Sequence, residues 1–171
     1  MTAHAHPAIP LWVFGVLLLL LMLGWRQSRT RTVRPGAVVA AAVGMGLFSF
    51  LGVTSAFGPS PAALLAWAAG MALAIGTGGC WAAPRGLTLD THGRGVQVPG
   101  SWLPMALLMG VFLGKFALGW ARGVGSPIVD DAAFGLGMSL LFGLLSGGFS
   151  VRAIAIQRFA GAAASPAPVA A

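Results

Sequence analysis

The chain has 171 residues, of which 57% are hydrophobic and only 8% are charged. About a quarter of the residues in a soluble domain are charged, so this composition excludes an ordinary soluble domain. The net charge of +7 does not indicate nucleic acid binding, because the arginines lie in short connections between apolar runs, where membrane topology requires them. Several of these runs reach the ~20 apolar residues that a bilayer-spanning helix needs. We therefore predict an all-α membrane protein.

Five membrane spans are predicted within a single domain, residues 1–158, at 10–25, 37–56, 62–82, 102–121 and 132–151. The Ala/Pro-rich residues 159–171 are predicted to form a disordered tail. The first span is rich in leucine and has almost no small residues, so we place it at the periphery of the bundle. No Lys or Arg precedes it, and we expect it to be retained rather than cleaved as a signal peptide.

An arginine-rich connection, RQSRTRTVRPG, follows the first span. We interpret it as a topology signal, and the alternative is a patch for anionic lipids or a partner. After the second span, FGPSP predicts a tight turn into the third.

Small residues recur every four positions on three spans and so form a strip along one helix face. Such strips let helix backbones approach closely within lipid. We predict that those of the third and fifth spans pack against neighbouring helices or across an oligomer interface. The strip residues are Ala66, Gly70, Ala74 and Gly78 on the third span, Gly110 and Gly114 on the fourth, and Gly135, Ser139, Gly143 and Gly147 on the fifth.

The longest polar connection joins the third and fourth spans. Leu87–Leu89 and Val96–Val98 alternate weakly around glycines, which predicts a short β-hairpin-like loop on the cytoplasmic side. An isolated hairpin is marginal in water, so we expect it to lean on the membrane face of the bundle. Ser101 is the predicted N-cap of the fourth helix, and Asp130 or Asp131 that of the fifth.

The fourth span has a marked start, an aromatic residue near each end and the only lysine, and we take it as the element around which the chain is organised. At about 100° per residue, Lys115 points nearly opposite the strip of Ala106, Gly110 and Gly114. We expect its amine either to be drawn toward the outer interface or to meet Asp130 or Asp131. Ionisable residues within membrane spans commonly have a functional role, so Lys115 is also a candidate functional residue.

The sequence offers little catalytic chemistry, and we predict that the protein is not an enzyme. The absence of glutamate excludes a His-Glu-x-x-His zinc protease. A dyad between a buried serine and Lys115 can be drawn, but membrane helices use serine routinely for packing. No cofactor or metal is assigned: Thr2-Ala3-His4 has the donors of a square-planar Cu(II) site, and we interpret it as a polar tail.

The arginines orient the predicted spans. Only Arg122 falls on one side of the membrane. The other eight fall on the opposite side, and they are Arg26, Arg29, Arg31, Arg34, Arg85, Arg94, Arg152 and Arg158. The positive-inside rule then places the N-terminus outside and the C-terminus in the cytoplasm. The expected partners are the lipid bilayer, with anionic lipids at the cytoplasmic arginines, and a second copy or another membrane protein, but no nucleic acid. Arginine outnumbers lysine nine to one amid abundant alanine and glycine, which indicates a GC-rich bacterial genome.

The start of the fourth span resembles a family of small multi-span inner-membrane proteins of proteobacteria. The resemblance lies in a Pro-Gly-Ser-Trp-Leu-Pro start, an apolar run, and a Lys followed by an aromatic and a glycine. These are Pro99, Gly100, Ser101, Trp102, Leu103, Pro104, Lys115, Phe116 and Gly119. Phe116 departs from the tyrosine usual there, so no role that needs a phenol is carried over. The resemblance implies a membrane class and an inner-membrane location, with no activity.

Two classes of function remain. The first is a structural or accessory membrane protein without catalytic turnover, and the alternative is a small transporter or channel subunit that uses Lys115 as an intramembrane polar site. Transport usually leaves several ionisable groups within the spans, and here only Lys115 qualifies, which favours the accessory role.

Overall fold

The computed structural model describes residues 11–90 and 95–164, so Thr2-Ala3-His4 lies outside the described residues. Five helices confirm the predicted helical class. The elements in chain order are α1 (Leu11–Gln27), β1 (Arg31–Val33), α2 (Pro35–Phe57), α3 (Pro61–Trp81), β2 (Thr88–Leu89), β3 (Val96–Val98), α4 (Leu103–Gly123), a 3-10 turn (Pro127–Asp130) and α5 (Ala132–Ala164).

Four of the helices, α2 to α5, are long and apolar enough to cross a membrane. At 1.5 Å per residue, each exceeds the ~30 Å hydrocarbon core of a bilayer. The described part of α1 has 17 residues and is correspondingly shorter. The lengths and compositions of the helices therefore agree with a multi-pass membrane protein.

Helix α5 lies at the centre of the bundle and packs against α2, α3 and α4. Its most extensive interface is with α3, followed by that with α2. We expected α4 to be the organising element, and this was wrong. The physical reason is that α5 carries small or hydroxyl residues on several faces, so three helices can approach it closely.

The small-residue strips of α3 and α5 face each other. A Cβ atom at Gly70 would overlap the carbonyl oxygen of Leu140, and one at Gly143 would overlap that of Trp67. Each glycine therefore admits the backbone of the other helix. Farther along the same interface, Gly147 lies against Ala74 and Gly78 against Val151, with Ala66 half-buried on α3. These residues are used within one chain, so an oligomer would form through other faces.

The other strip residues contact neighbouring helices as well. On α4, Gly110 lies against Leu145 and Gly114 against the Phe142 ring. On α5, Gly135 lies against Phe57 of α2, and the buried Ser139 hydroxyl donates a 2.8 Å hydrogen bond to the Gly135 carbonyl.

Helix α1 lies at the edge of the bundle and packs chiefly on α4. Gly24 meets the Met105 side chain, and the rings of Trp25 and Trp102 make an edge-to-face contact with centroids 6.0 Å apart. Most α1 side chains with described burial are exposed, and this placement agrees with the peripheral position expected for a smooth, leucine-rich helix.

A three-stranded antiparallel sheet in the order β1-β3-β2 closes one end of the bundle. Strand β2 pairs with β3, with Thr88 opposite Gln97, and the residues 91–94 between them lie outside the described part of the chain. The arginine-rich connection contributes β1, a strand that the sequence analysis did not assign. The four helix–helix connections thus divide between two ends: those after α1 and α3, with the end of α5, lie at the sheet end, and those after α2 and α4 lie at the opposite end.

The sheet packs on the last turns of α5, where Val96, Val98 and Ile156 form a buried cluster joined by Phe159. Helix α5 continues beyond residue 151, where the fifth span was predicted to end, as far as Ala164. The predicted start of the disordered tail at residue 159 is therefore corrected, because residues 159–164 are helical. Apolar side chains in those turns have the sheet to pack against, which keeps them helical. The remaining tail residues, 165–171, lie outside the described range.

At the starts of α4 and α5, side-chain oxygens accept hydrogen bonds from backbone N–H groups of the first turn. Asp131 precedes α5 and its carboxylate accepts a hydrogen bond from the Ala133 N–H at 3.1 Å, which confirms an aspartate cap. Helix α4 begins one residue later than a Ser101 cap requires, with Trp102 at the N-cap position. The Ser101 hydroxyl still accepts the N–H of Leu103 at 3.2 Å.

Candidate functional site

Lys115 lies on the buried face of α4. The buried residues of this helix include Leu107, Val111 and Leu118, and Lys115 occupies the position between the last two. Lys115 was expected to point away from the closest helix contact, because it lies nearly opposite the glycine strip of α4. The buried arc is wider than that strip, since α4 is covered by α5 on one side and faces α2 on the other.

The Lys115 amine is directed into the bundle rather than outward. Its Nζ atom lies 4.5 Å from the centre of the Phe48 ring of α2 and 5.3 Å from that of Phe142 of α5. Gly52, one turn from Phe48, leaves room for the amine, because a Cβ atom there would overlap Nζ. Two aromatic faces and a missing side chain therefore form a cradle for the ammonium group, which attracts it electrostatically. We call Lys115, Phe48, Gly52 and Phe142 the lysine cradle.

A hydrogen-bonded link joins three helices beside the lysine cradle. The Ser49 hydroxyl of α2 accepts a hydrogen bond from Trp67 Nε1 of α3 and donates one to the Phe142 carbonyl of α5, each at 3.1 Å. The same carbonyl accepts the Ser146 hydroxyl at 2.8 Å. Ser49 and Ser146 are almost completely buried, and among the described residues no buried side-chain polar atom lacks a hydrogen-bond partner. The polar groups here are satisfied and hold the helices together.

Arg122 makes a second contact from α4 to α2, about two helical turns beyond Lys115. Its guanidinium donates a hydrogen bond to the Ala56 carbonyl and lies 5.7 Å from the centre of the Phe57 ring. The α2–α4 pair is not among the closely packed helix pairs. Two long cationic side chains thus join helices whose backbones remain apart.

The two aspartates lie near Arg122 rather than near Lys115. Asp130 and Asp131 line a polar pocket of about 590 Å³ together with Arg122, Ser60 and Ser126. Within residues 11–90 and 95–164, neither aspartate forms an ion pair with Lys115. The expectation that one of them would meet the lysine is therefore corrected: the lysine is held at mid-helix, whereas both carboxylates lie beyond the end of α4.

The buried hydroxyl groups of the bundle bond to the backbone. Each fully buried serine donates its hydroxyl to a backbone carbonyl, so none is paired with a general base. The described residues contain no group of three or more His, Cys, Asp or Glu side chains that could hold a metal ion. Cys80, the single cysteine, is exposed.

The α2 and α3 partners of this site were not predicted from the sequence. Phe48, Gly52 and Trp67 belong to apolar runs with no distinguishing spacing. Ser49 lies in the same apolar run as Phe48 and Gly52, and its hydrogen bonds join residues distant in sequence, which only the packing of α2 against α5 reveals.

No curated protein and no solved structure matches the chain. A family model described as a family of unknown function (DUF6622) matches residues 1–168. Because the match extends over almost the whole sequence, the chain belongs to the family DUF6622.

Proposed function

We propose that the protein is a five-span integral protein of a proteobacterial inner membrane and that it acts as a structural or accessory component without catalytic turnover. The four long apolar helices and membership of a family of unknown function support the assignment to an uncharacterised multi-pass membrane protein. The block from Pro99 to Gly119 supports the proteobacterial assignment by resemblance. Helix α1 is assigned as the fifth span, because it is apolar and its last turns pack against Met105 at the start of α4.

The distribution of arginines supports an orientation with the N-terminus outside and the C-terminus in the cytoplasm. The described arginines at the sheet end are Arg26, Arg29, Arg31, Arg34, Arg85, Arg152 and Arg158, whereas Arg122 lies at the opposite end. By the positive-inside rule the sheet end is cytoplasmic. The short β-hairpin-like loop between α3 and α4 is then part of a cytoplasmic cap on the bundle.

The observation that carries the accessory role is the lysine cradle. Lys115 is the one ionisable residue at mid-depth in the described helices, and transport through the membrane commonly depends on such groups. Here the ammonium is engaged by two aromatic rings and sits against Gly52. A cation that joins three helices contributes to packing and is poorly placed to bind and release a substrate.

Reconstitution of the pure protein into liposomes tests this proposal against the transporter alternative. Fluxes of protons, Na⁺, K⁺ and Cl⁻ are measured with trapped indicator dyes, in vesicles with wild-type protein, with Lys115→Met and without protein. For each ion, we expect the same flux in all three vesicle preparations. A flux that requires the wild-type protein and is lost in Lys115→Met would show that the chain is a transporter or channel subunit.

A further inference from the structure

A long apolar groove lies on the outer surface of the bundle between α2, α3 and α5. Its volume is about 710 Å³, within the ~300–1,000 Å³ usual for ligand pockets. Its walls include Val43, Leu47 and Phe50 of α2, Met71 of α3, and Ile154 of α5. The walls are apolar over most of the groove, and Gln157 and Arg158 of α5 form one end. An apolar groove that ends at a cationic side chain has the shape and chemistry of a lipid-binding site.

The groove owes its depth to a glycine on α2. A Cβ atom at Gly46 would meet only the Met71 methyl, at 3.9 Å, so there is open space above this residue. Val43 and Leu47 are exposed on either side of it. In a membrane, hydrocarbon fills such a space, because water there would cover apolar surface.

The depth of Arg158 fits a lipid headgroup. From Ala132 at the start of α5, Arg158 lies about 39 Å along the helix, and the hydrocarbon core is only about 30 Å thick. Arg158 therefore stands beyond the hydrocarbon, at the level of the phosphates, while Phe50 and Met71 lie deeper. Arg158 also lies at the sheet end of the bundle, where most of the described arginines are found.

We propose that this groove binds one anionic phospholipid, with an acyl chain along Val43, Leu47 and Met71 and the phosphate at Arg158 and Gln157. The inference rests on the proposed membrane location, and it goes beyond a general attraction of anionic lipids to cytoplasmic arginines. Charge complementarity selects the occupant, because the cationic end attracts an anionic headgroup and gains less from a zwitterionic one.

Native mass spectrometry of the full chain tests the site with two probes, phosphatidylglycerol and phosphatidylcholine with the same acyl chains. The wild-type protein should retain one phosphatidylglycerol under activation that removes phosphatidylcholine. Arg158→Gln should weaken phosphatidylglycerol binding about fivefold, the factor that one basic residue near an anionic surface supplies. Gly46→Leu should prevent retention of either lipid, because its side chain fills the groove.

Matched controls separate the groove from general effects of charge and bulk. Arg29→Gln removes an exposed arginine from the same end, and Gly44→Leu adds the same bulk to α2 at a position with nothing within 4 Å and outside the groove. Both should keep the wild-type preference. Equal losses in Arg29→Gln and Arg158→Gln, or equal retention in Gly44→Leu and Gly46→Leu, would overturn the groove and leave the proposed location intact. A protein dimer that excludes both lipids would also overturn it, whereas a chain that is not recovered from membranes would contradict the proposed function itself.

Discussion

The ammonium group of Lys115 on α4 lies 4.5 Å from the centre of the Phe48 ring on α2, across a gap that the two helices do not close by backbone packing. A cation–π contact contributes about 0.5–1 kcal/mol at an exposed site and about 2 kcal/mol when desolvated. Lys115 is half-buried and has a second ring, Phe142, on its other side. The single lysine of the chain therefore joins α4 to both α2 and α5.

The α3–α5 interface predicts a sharp contrast between glycines of one helix. Gly143→Leu should destabilise the bundle by about 3 kcal/mol or more, since the new side chain meets the backbone of Trp67 and overpacking alone costs about 1–3 kcal/mol. Gly137→Leu on the same helix should be tolerated, because nothing lies within 4 Å of its Cβ position. SDS-induced unfolding of the purified variants measures the difference, and similar stabilities would contradict the packing of α3 on α5.

The hydrogen-bonded link predicts that Ser49→Ala lowers stability by about 1–2 kcal/mol, because Trp67 Nε1 loses its acceptor and α5 loses a contact to α2. Ser55→Ala is the control, since that exposed hydroxyl bonds only within its own helix, to Gly52. The same unfolding assay reports both variants. Equal losses of stability in the two variants would show that the hydrogen bonds between helices contribute no more than a serine bond within one helix.

The packing of the sheet on α5 predicts that Ile156→Ala lowers the free energy of unfolding by about 2 kcal/mol or more, because the isoleucine side chain is buried against β3. Ile154→Ala, two residues earlier on an exposed part of α5, should cost much less. Limited proteolysis of the connection around β2 provides the measurement, with faster cleavage expected in Ile156→Ala alone. Unchanged cleavage would mean that the sheet does not depend on α5.

The proposed orientation predicts which introduced cysteines react from outside intact cells, in a Cys80→Ser background. Cysteines at Ser60 and Ser126 lie in the connections opposite the sheet and should react with an impermeant thiol reagent. Cysteines at Thr30 and Thr88 lie at the sheet end and should react only after lysis. The reverse pattern would place the arginines outside and contradict the orientation.

Much of the helical framework could be predicted from the sequence, because a run of apolar residues bounded by Pro, Gly and Arg has few alternatives in a membrane. The helices α2 to α4 begin and end close to the predicted spans. Long-range pairings could not be predicted in this way. Strand β1 exists because the arginine-rich connection pairs with β3, and the last turns of α5 stay helical because the sheet covers Ile156.

Lys115 shows the same limit at the candidate site. Helical periodicity gave its angle on α4 relative to Gly110 and Gly114, yet its surroundings depend on where α2 lies. Nothing in the spacing of Phe48 and Gly52 indicates that they would face a cation. A cradle formed by three helices is a property of their packing and is visible only in the structure.

If Lys115 is a packing cation, the free energies of unfolding of Lys115→Met and Lys115→Arg should differ. We predict a loss of about 1–2 kcal/mol for Lys115→Met, because an uncharged side chain forfeits the attraction of both rings. Lys115→Arg should recover most of this loss, since arginine keeps the charge. Leu113→Met, an exposed position on the same helix, controls for a methionine in α4. If Lys115→Met were as stable as the wild type, or more stable because a partly desolvated charge had been removed, Lys115 would not hold the bundle together.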